Sequence, residues 1–108
     1  MIDKPLGNYL AEAINELRKV KEITLDYDQA LQLQQDINLL LTQLSEALAL
    51  PDLGVARTQS AVTNLITLTS LAIKAKHDPS KIADVIYTTS KVVRVVEKVL
   101  KGTGEALL

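Results

Sequence analysis

Residues 78–102, DPSKIADVIYTTSKVVRVVEKVLKG, contain the clearest folding signal in the chain. Asp78 is a favourable N-cap, because its carboxylate can accept hydrogen bonds from unpaired N–H groups of the first helical turn. Pro79 suits the first helical position, where its missing N–H would have no partner. Gly102 supplies a C-terminal stop, since glycine readily adopts the left-handed conformation that ends helices. These signals predict a helix over residues 79–101.

The side chains between these signals support a helix rather than a strand. Valine favours strands, because β-branched side chains pack well on a pleated surface. However, the apolar pairs at 92–93, 95–96 and 99–100 do not alternate with polar residues, as a half-buried strand would require. When residues are placed at the helical period, the apolar residues of this segment and Thr89 fall within an arc of about 180°. They are Ile82, Val85, Ile86, Thr89, Val92, Val93, Val95, Val96, Val99 and Leu100.

Three earlier segments show the same periodicity. They predict helices over residues 6–22, 27–49 and 54–76. Pro5 suits the start of the first helix, and Asp26 with Gln29 three residues later forms a capping pattern for the second. Pro51 ends the second helix. The apolar stripes include Leu48 in the second helix, and Ile66 and Ile73 in the third.

The width of the apolar stripes predicts the fold class. Each stripe is wider than the two-in-seven seam of a coiled-coil dimer, so each helix needs two neighbours. Short connections make sequential helices antiparallel. The 108 residues are therefore expected to form one all-α domain, a four-helix antiparallel up-down bundle with a frayed tail over 102–108. Homo-oligomerisation is an alternative way for such helices to complete or extend their core.

Composition and motifs argue against an enzyme. Cysteine is absent, which excludes thiolate zinc sites and thiol nucleophiles. His77 is the single histidine, and no Glu-x-x-His spacing exists, so no metal site is expected. The four glycines are scattered and begin no phosphate-binding loop. We therefore expect no cofactor and no catalytic residue.

Pairs of carboxylates have ordinary explanations. Glu12 and Glu16 lie four residues apart on a polar helix face, which solvation accounts for. Asp26 and Asp28 lie at a helix start, where capping and the helix dipole favour negative charge. A catalytic carboxylate would need apolar surroundings that shift its pKa.

The third helix has a surface of unusual composition. No charged residue occurs between Arg57 and Lys74, and the face opposite the apolar stripe carries hydroxyl and amide groups. A face of this kind lies either inside a bundle or against a partner. With two leucines that fall off the stripe of the second helix, it forms the predicted protein interface: Leu31, Leu39, Gln59, Ser60, Thr63, Thr67 and Ser70. The leading interpretation is a non-enzymatic interaction or structural module that binds itself or another protein.

The charges suggest an alternative function. Residues 22–56 contain six acidic and no basic residues, whereas the last helix has a basic face. The candidate anion surface comprises Lys74, Lys76, Lys91, Arg94, Lys98 and Lys101. Nucleic acid or another polyanion is the alternative partner, although a net charge of −1 is unusual for such proteins.

Membrane association and secretion are not indicated. The least polar stretch, residues 61–73, is shorter than the roughly 20 apolar residues of a membrane span. No basic region followed by an apolar one begins the chain, so no signal peptide is expected. A cytoplasmic location fits these features. A bundle that opens to insert its third helix in a membrane is a third alternative.

Overall fold

A computed structural model describes residues 4–50 and 55–102. It contains four α-helices and, before the last of them, a 3₁₀ turn over Pro79–Lys81. The helices are α1 (Leu6–Ile23), α2 (Tyr27–Ala49), α3 (Val55–His77) and α4 (Ile82–Lys101). They pack against each other without strands in the described residues, which confirms the predicted all-α four-helix bundle. The predicted helix stop at Pro51, the predicted helix start at residue 54 and the tail beyond 102 lie outside the described residues.

Local capping chemistry accounts for where the helices begin and end. Oδ1 of Asp26 accepts a hydrogen bond from the Gln29 N–H at 2.9 Å, as the capping pattern predicts. Oδ1 of Asp78 accepts from the N–H and the hydroxyl of Ser80, and these bonds lower the pKa of Asp78. That cap starts the 3₁₀ turn, so the α-helical part begins at Ile82, since helix ends often tighten into 3₁₀ geometry. Gly102 ends α4 with a φ of 74°.

Each helix packs against two neighbours, but the neighbours are not the sequential ones throughout. α1 packs against α2 and α3, and α4 packs against α3 and α2. α2 and α3, although consecutive in the chain, therefore lie across the diagonal of the bundle. α1 and α4 occupy the other diagonal.

This arrangement makes half of the neighbouring pairs parallel. Gly7 at the start of α1 lies beside Leu44 and Leu48 at the end of α2, so those helices are antiparallel. Lys76 contacts Glu16 with both residues in the second half of their helices, so α1 and α3 run in the same direction. α2 and α4 also run in the same direction. The bundle is two antiparallel hairpins, packed so that like directions are side by side.

The core between the hairpins is aliphatic apart from Tyr9. Its largest fully buried side chains are Leu10, Leu17, Val20, Leu33, Ile37, Leu40, Val62, Leu65, Leu68, Val85, Val92 and Val96. Burial of each such side chain contributes about 1.5–3 kcal/mol to folding. Three residues of the predicted apolar stripes, Leu48, Ile66 and Ile73, are instead exposed. Two polar residues of α2, Asp36 and Gln43, are buried although they lie outside the predicted apolar stripe.

Candidate interaction surfaces

The outer face of α3 is exposed along its length. All five polar residues predicted for an interface on this helix are accessible: Gln59, Ser60, Thr63, Thr67 and Ser70. Ile66 and Ile73 share this face and are 48% and 42% exposed. We call these seven residues the α3 face. It presents two isoleucines among uncharged polar groups, over about four turns of helix.

The two leucines predicted for the same interface lie elsewhere. Leu31 and Leu39 are 45% and 51% exposed on α2, which is diagonally opposite α3. The exposed sides of diagonally opposite helices point in opposite directions. The seven predicted interface residues therefore belong to two separate sides of the molecule.

Leu39 lies on the wall of a groove between α2 and α4. The groove has a volume of about 540 Å³. Its lining comprises Leu39, Thr42, Gln43 and Glu46 from α2, and Val93, Arg94, Glu97 and Lys98 from α4. Apolar, acidic and basic side chains thus meet on one concave surface. We call this the α2–α4 groove.

The packing beneath the groove is polar. Nε2 of buried Gln43 donates to the carbonyl oxygen of Val93 at 2.9 Å, and lies 3.4 Å from Oε1 of Glu97. Oε1 of Gln43 is buried without a hydrogen-bond partner among the described residues. The Gln43–Val93 hydrogen bond also shows that α2 and α4 run in the same direction, because Gln43 lies in the second half of α2 and Val93 in the second half of α4.

Asp36 lies two turns before Gln43 on the same side of α2. Its Oδ1 accepts a hydrogen bond from Nε2 of Gln32 at 3.2 Å, whereas its Oδ2 is buried with no partner in the described part of the chain. Burial raises the pKa of Asp36, and the hydrogen bond from Gln32 offsets part of that effect. Sequence reasoning missed this site, since an aspartate within a run of polar residues looks solvated.

At least four residues of the predicted anion surface are engaged within the chain, Lys98 among them. Nζ of Lys76 lies 2.7 Å from Oε1 of Glu16, and this contact holds the pKa of Glu16 below its usual range. Lys101 pairs with Glu97 at 3.1 Å, which raises the pKa of Lys101 and lowers that of Glu97. Nζ of Lys91 lies 5.7 Å from the ring centre of Tyr87.

The six basic residues are also spread along the bundle. Lys74 and Lys76 belong to the last turn of α3, at the end where α4 begins. Lys98 and Lys101 belong to the last turn of α4, at the opposite end. Along α4 itself, Lys91, Arg94, Lys98 and Lys101 follow one face because their spacing matches the helical period. The structure thus gathers four of the six residues on one stripe.

The turn between α1 and α2 exposes apolar side chains that sequence reasoning did not select. Leu25 is 98% exposed, and Ile23 and Tyr27 on either side of it are also exposed. A leucine between two helix ends, beside the capping residue Asp26, was the available signal. This end of the bundle is a third accessible apolar feature.

The described residues offer little for metal or membrane chemistry. Among residues 4–50 and 55–102, no three His, Cys, Asp or Glu side chains lie close enough to hold a metal ion. His77 is exposed at the end of α3. Within the same ranges, no helix has the length and apolar character needed to cross a bilayer.

The fold and these surfaces define the class of protein: a small four-helix bundle of two hairpins, with distinct outward faces on α3 and between α2 and α4. Comparison with protein-family models, curated proteins and solved structures finds no match to this chain.

Proposed function

We propose that this bundle is a cytoplasmic, non-enzymatic module that binds another protein through the α3 face. The observation that carries the proposal is the combination of exposed Ile66 and Ile73 with an outer face that contains no charge from residue 58 to residue 73. The outer faces of the other helices do carry charged residues, for example Arg18 on α1 and Arg94 on α4.

The energetics of association favour such a face. Charged residues are depleted from the centres of protein interfaces, because burial removes their hydration. Hydroxyl and amide groups lose less on burial and can form hydrogen bonds with a partner. Ile66 and Ile73 lie seven residues apart, two turns of one helix, so both can enter one partner surface. The α3 face therefore has two apolar contact points within a polar, uncharged surround.

The same residues offer little to catalysis. Thr63, Thr67 and Ser70 have hydroxyls, but nucleophilic catalysis needs an adjacent general base. Histidine, the usual base, occurs once, at the exposed end of α3. The composition of the α3 face therefore fits a binding role better than a catalytic one.

A photo-crosslinking amino acid tests the proposal in cells of the source organism. Placed at Thr67 in the α3 face, it should give a crosslink to one protein species. Placed at Asn15, which is exposed on the polar side of α1, it should not give that species. Ile66→Asp should abolish the Thr67 crosslink, whereas Asn15→Asp should leave it intact. Identical labelling from positions 67 and 15 would exclude the α3 face as a specific interface.

Binding of nucleic acid or another polyanion through α4 has weaker support. The basic stripe includes Arg94, which has no ion-pair partner among the described residues, but Lys101 is paired with Glu97. A mobility-shift assay with DNA and RNA at low salt tests this alternative. Retardation that Arg94→Glu abolishes would support it, and no retardation at micromolar protein would rule it out.

A further inference from the structure

We infer that a second copy of this chain docks on the side formed by α2 and α4, giving a dimer whose two-fold axis runs parallel to the helices along the α2–α4 groove. This inference goes beyond the proposed function, because it uses the opposite side of the bundle and leaves the α3 face accessible. Four features carry it: the direction of the two helices, their charges, the position of Leu39 and the size of the side.

The parallel direction of α2 and α4 restricts how two copies can meet. A half-turn about an axis parallel to the helices places α2 of each copy opposite α4 of the other. Each residue keeps its position along the helix direction. A half-turn about an axis in the interface but perpendicular to the helices places α2 opposite α2, and α4 opposite α4. Both arrangements use the same surface on each copy, as two-fold dimers require.

Charge selects the first arrangement. α2 has no basic residue, and its exposed acids include Glu46 on the groove wall. α4 presents Lys91, Arg94, Lys98 and Lys101 on one stripe. Contact between two basic stripes would be repulsive, whereas contact between α2 and α4 brings opposite charges together twice. The axis parallel to the helices is therefore favoured.

The register within one copy predicts which charges meet. Gln43 contacts Val93 and Glu97, so Glu46, three residues further along α2, is level with Lys98 in α4. Rotation about the parallel axis keeps this level. Glu46 of one copy then faces Lys98 and the long side chain of Arg94 in the other. Arg94 forms no ion pair among residues 4–50 and 55–102 of its own chain, so it is available for this contact.

Leu39 supplies the apolar centre. It lines the groove, and half of its surface is exposed in one copy. Because the axis runs along the groove, the Leu39 side chains of the two copies approach each other across the axis and fill the groove between them. An apolar centre with a charged rim is the usual composition of a protein interface.

The side of the bundle is large enough for such a dimer. The molecule measures 39 × 24 × 23 Å. The area of one long side therefore exceeds the roughly 800 Å² that each partner contributes to an interface of standard size. A dimer of this geometry would carry two α3 faces on opposite outer sides, and bivalent binding increases avidity without new contacts.

Sedimentation velocity over a concentration series tests the dimer. The wild-type chain should show a reversible monomer–dimer equilibrium. Leu39→Asp should weaken dimerisation at least about tenfold, because it places a charge at the apolar centre. Leu31→Asp is the matched control, since Leu31 is similarly exposed on α2 but does not line the groove; it should leave the equilibrium unchanged. Circular dichroism of both variants should show the wild-type helix content.

Charge reversal with mixing tests the arrangement. Glu46→Lys and Arg94→Glu should each weaken dimerisation, since each creates like-charge contacts twice across the axis. An equimolar mixture of the two variants should restore most of it, because positions 46 and 94 then carry opposite charges at both contacts across the axis. A like-charge contact remains only between the lysine introduced at position 46 and Lys98. Contacts within each chain do not change on mixing, so recovery reports the interface alone.

Three results would overturn the inference: a wild-type chain that remains monomeric at millimolar concentration, equal effects of Leu39→Asp and Leu31→Asp, or no recovery on mixing. None of these bears on the crosslink from Thr67 in the α3 face. Conversely, loss of that crosslink leaves the dimer measurements intact, so the two proposals can fail separately.

Discussion

Nη2 of Arg57, near the start of α3, lies 3.0 Å from the carbonyl oxygen of Val99 in the last turn of α4. Carbonyls in a last helical turn lack partners within their own helix. The Val99 oxygen also accepts the Gly102 N–H at 3.2 Å, so it receives two donors. One side chain of α3 thus joins the open end of the second hairpin, where the two helices are not connected by a turn.

Removal of the Arg57 guanidinium should destabilise the bundle. Arg57→Met keeps much of the aliphatic stem but removes the donor, so the free energy of unfolding should fall by about 1 kcal/mol. Thermal denaturation followed by circular dichroism measures the change. Arg18→Met, at an exposed position on α1, is the control and should leave the melting temperature within error. An equal response of the two variants would show that the contact to Val99 contributes nothing to stability.

Alanine substitutions at two glycines should have different effects on stability. Gly102 has a φ of 74°, and an added Cβ would lie 2.9 Å from Nη2 of Arg57, so Gly102→Ala should destabilise by about 1–2 kcal/mol. Gly7 lies inside α1, where alanine is favoured by up to about 1 kcal/mol. Its added Cβ would meet Cδ2 of Leu48 at 3.2 Å, but Leu48 is exposed and can move. Gly7→Ala should therefore be neutral or stabilising in urea denaturation. The prediction fails if alanine at 102 is as well tolerated as at 7.

The ion pair between Lys76 and Glu16 should give a pH-dependent contribution to stability. Lys76 lowers the pKa of Glu16 in the fold, so the contribution is present above the unfolded value near 4.5 and is lost as pH falls through the folded pKa. Glu16→Gln should lower stability by roughly 1 kcal/mol at pH 7, with the deficit vanishing in acid. Glu12→Gln removes the more exposed pair with Lys4 and should have a smaller effect. A Glu16→Gln deficit that persists unchanged at pH 3 would contradict this assignment.

The buried carboxyl of Asp36 should act in the opposite direction. Burial raises the pKa of Asp36 in the fold, so the folded state favours the protonated form. The resulting contribution to folding stability is complete below the unfolded pKa near 3.8, and it is lost as pH rises through the folded pKa. Asp36→Asn should therefore increase the free energy of unfolding at pH 7 by about 1 kcal/mol, and with it the melting temperature. The gain should shrink towards pH 4. Thermal melts of both proteins at the two pH values measure it, and a less stable Asn variant at pH 7 would show that the carboxylate is well solvated.

Sequence patterns predicted the helices well because the relevant physics is local. Asp26, Asp78 and Gly102 act on backbone groups within a few residues, so their roles can be recognised without a tertiary structure. The position of the α3 face could also be predicted, since the absence of charge marks it. In contrast, Ile66 and Ile73 looked like core residues, because a broad apolar stripe does not specify which part of it meets a neighbour.

The grouping of site residues needed the tertiary structure. Leu39 and Thr67 belonged to one predicted interface, yet α2 and α3 lie on a diagonal, and their exposed sides point apart. Lys76 belonged to a predicted anion surface, yet it pairs with Glu16 of α1. Helical periodicity describes one helix at a time, and so it contains no information on which helices become neighbours.

The amino-acid sequence by itself determined four amphipathic helices, their caps and an uncharged face on the third, because each depends on contacts within a few residues or on composition. The tertiary structure decided that the hairpins pack with like directions side by side, so that α2 and α4 form the groove and the α3 face lies on the other side. That outcome depends on how four apolar stripes fit together at once. Packing between distant segments, rather than local propensity, therefore places the two surfaces on which both proposals rest.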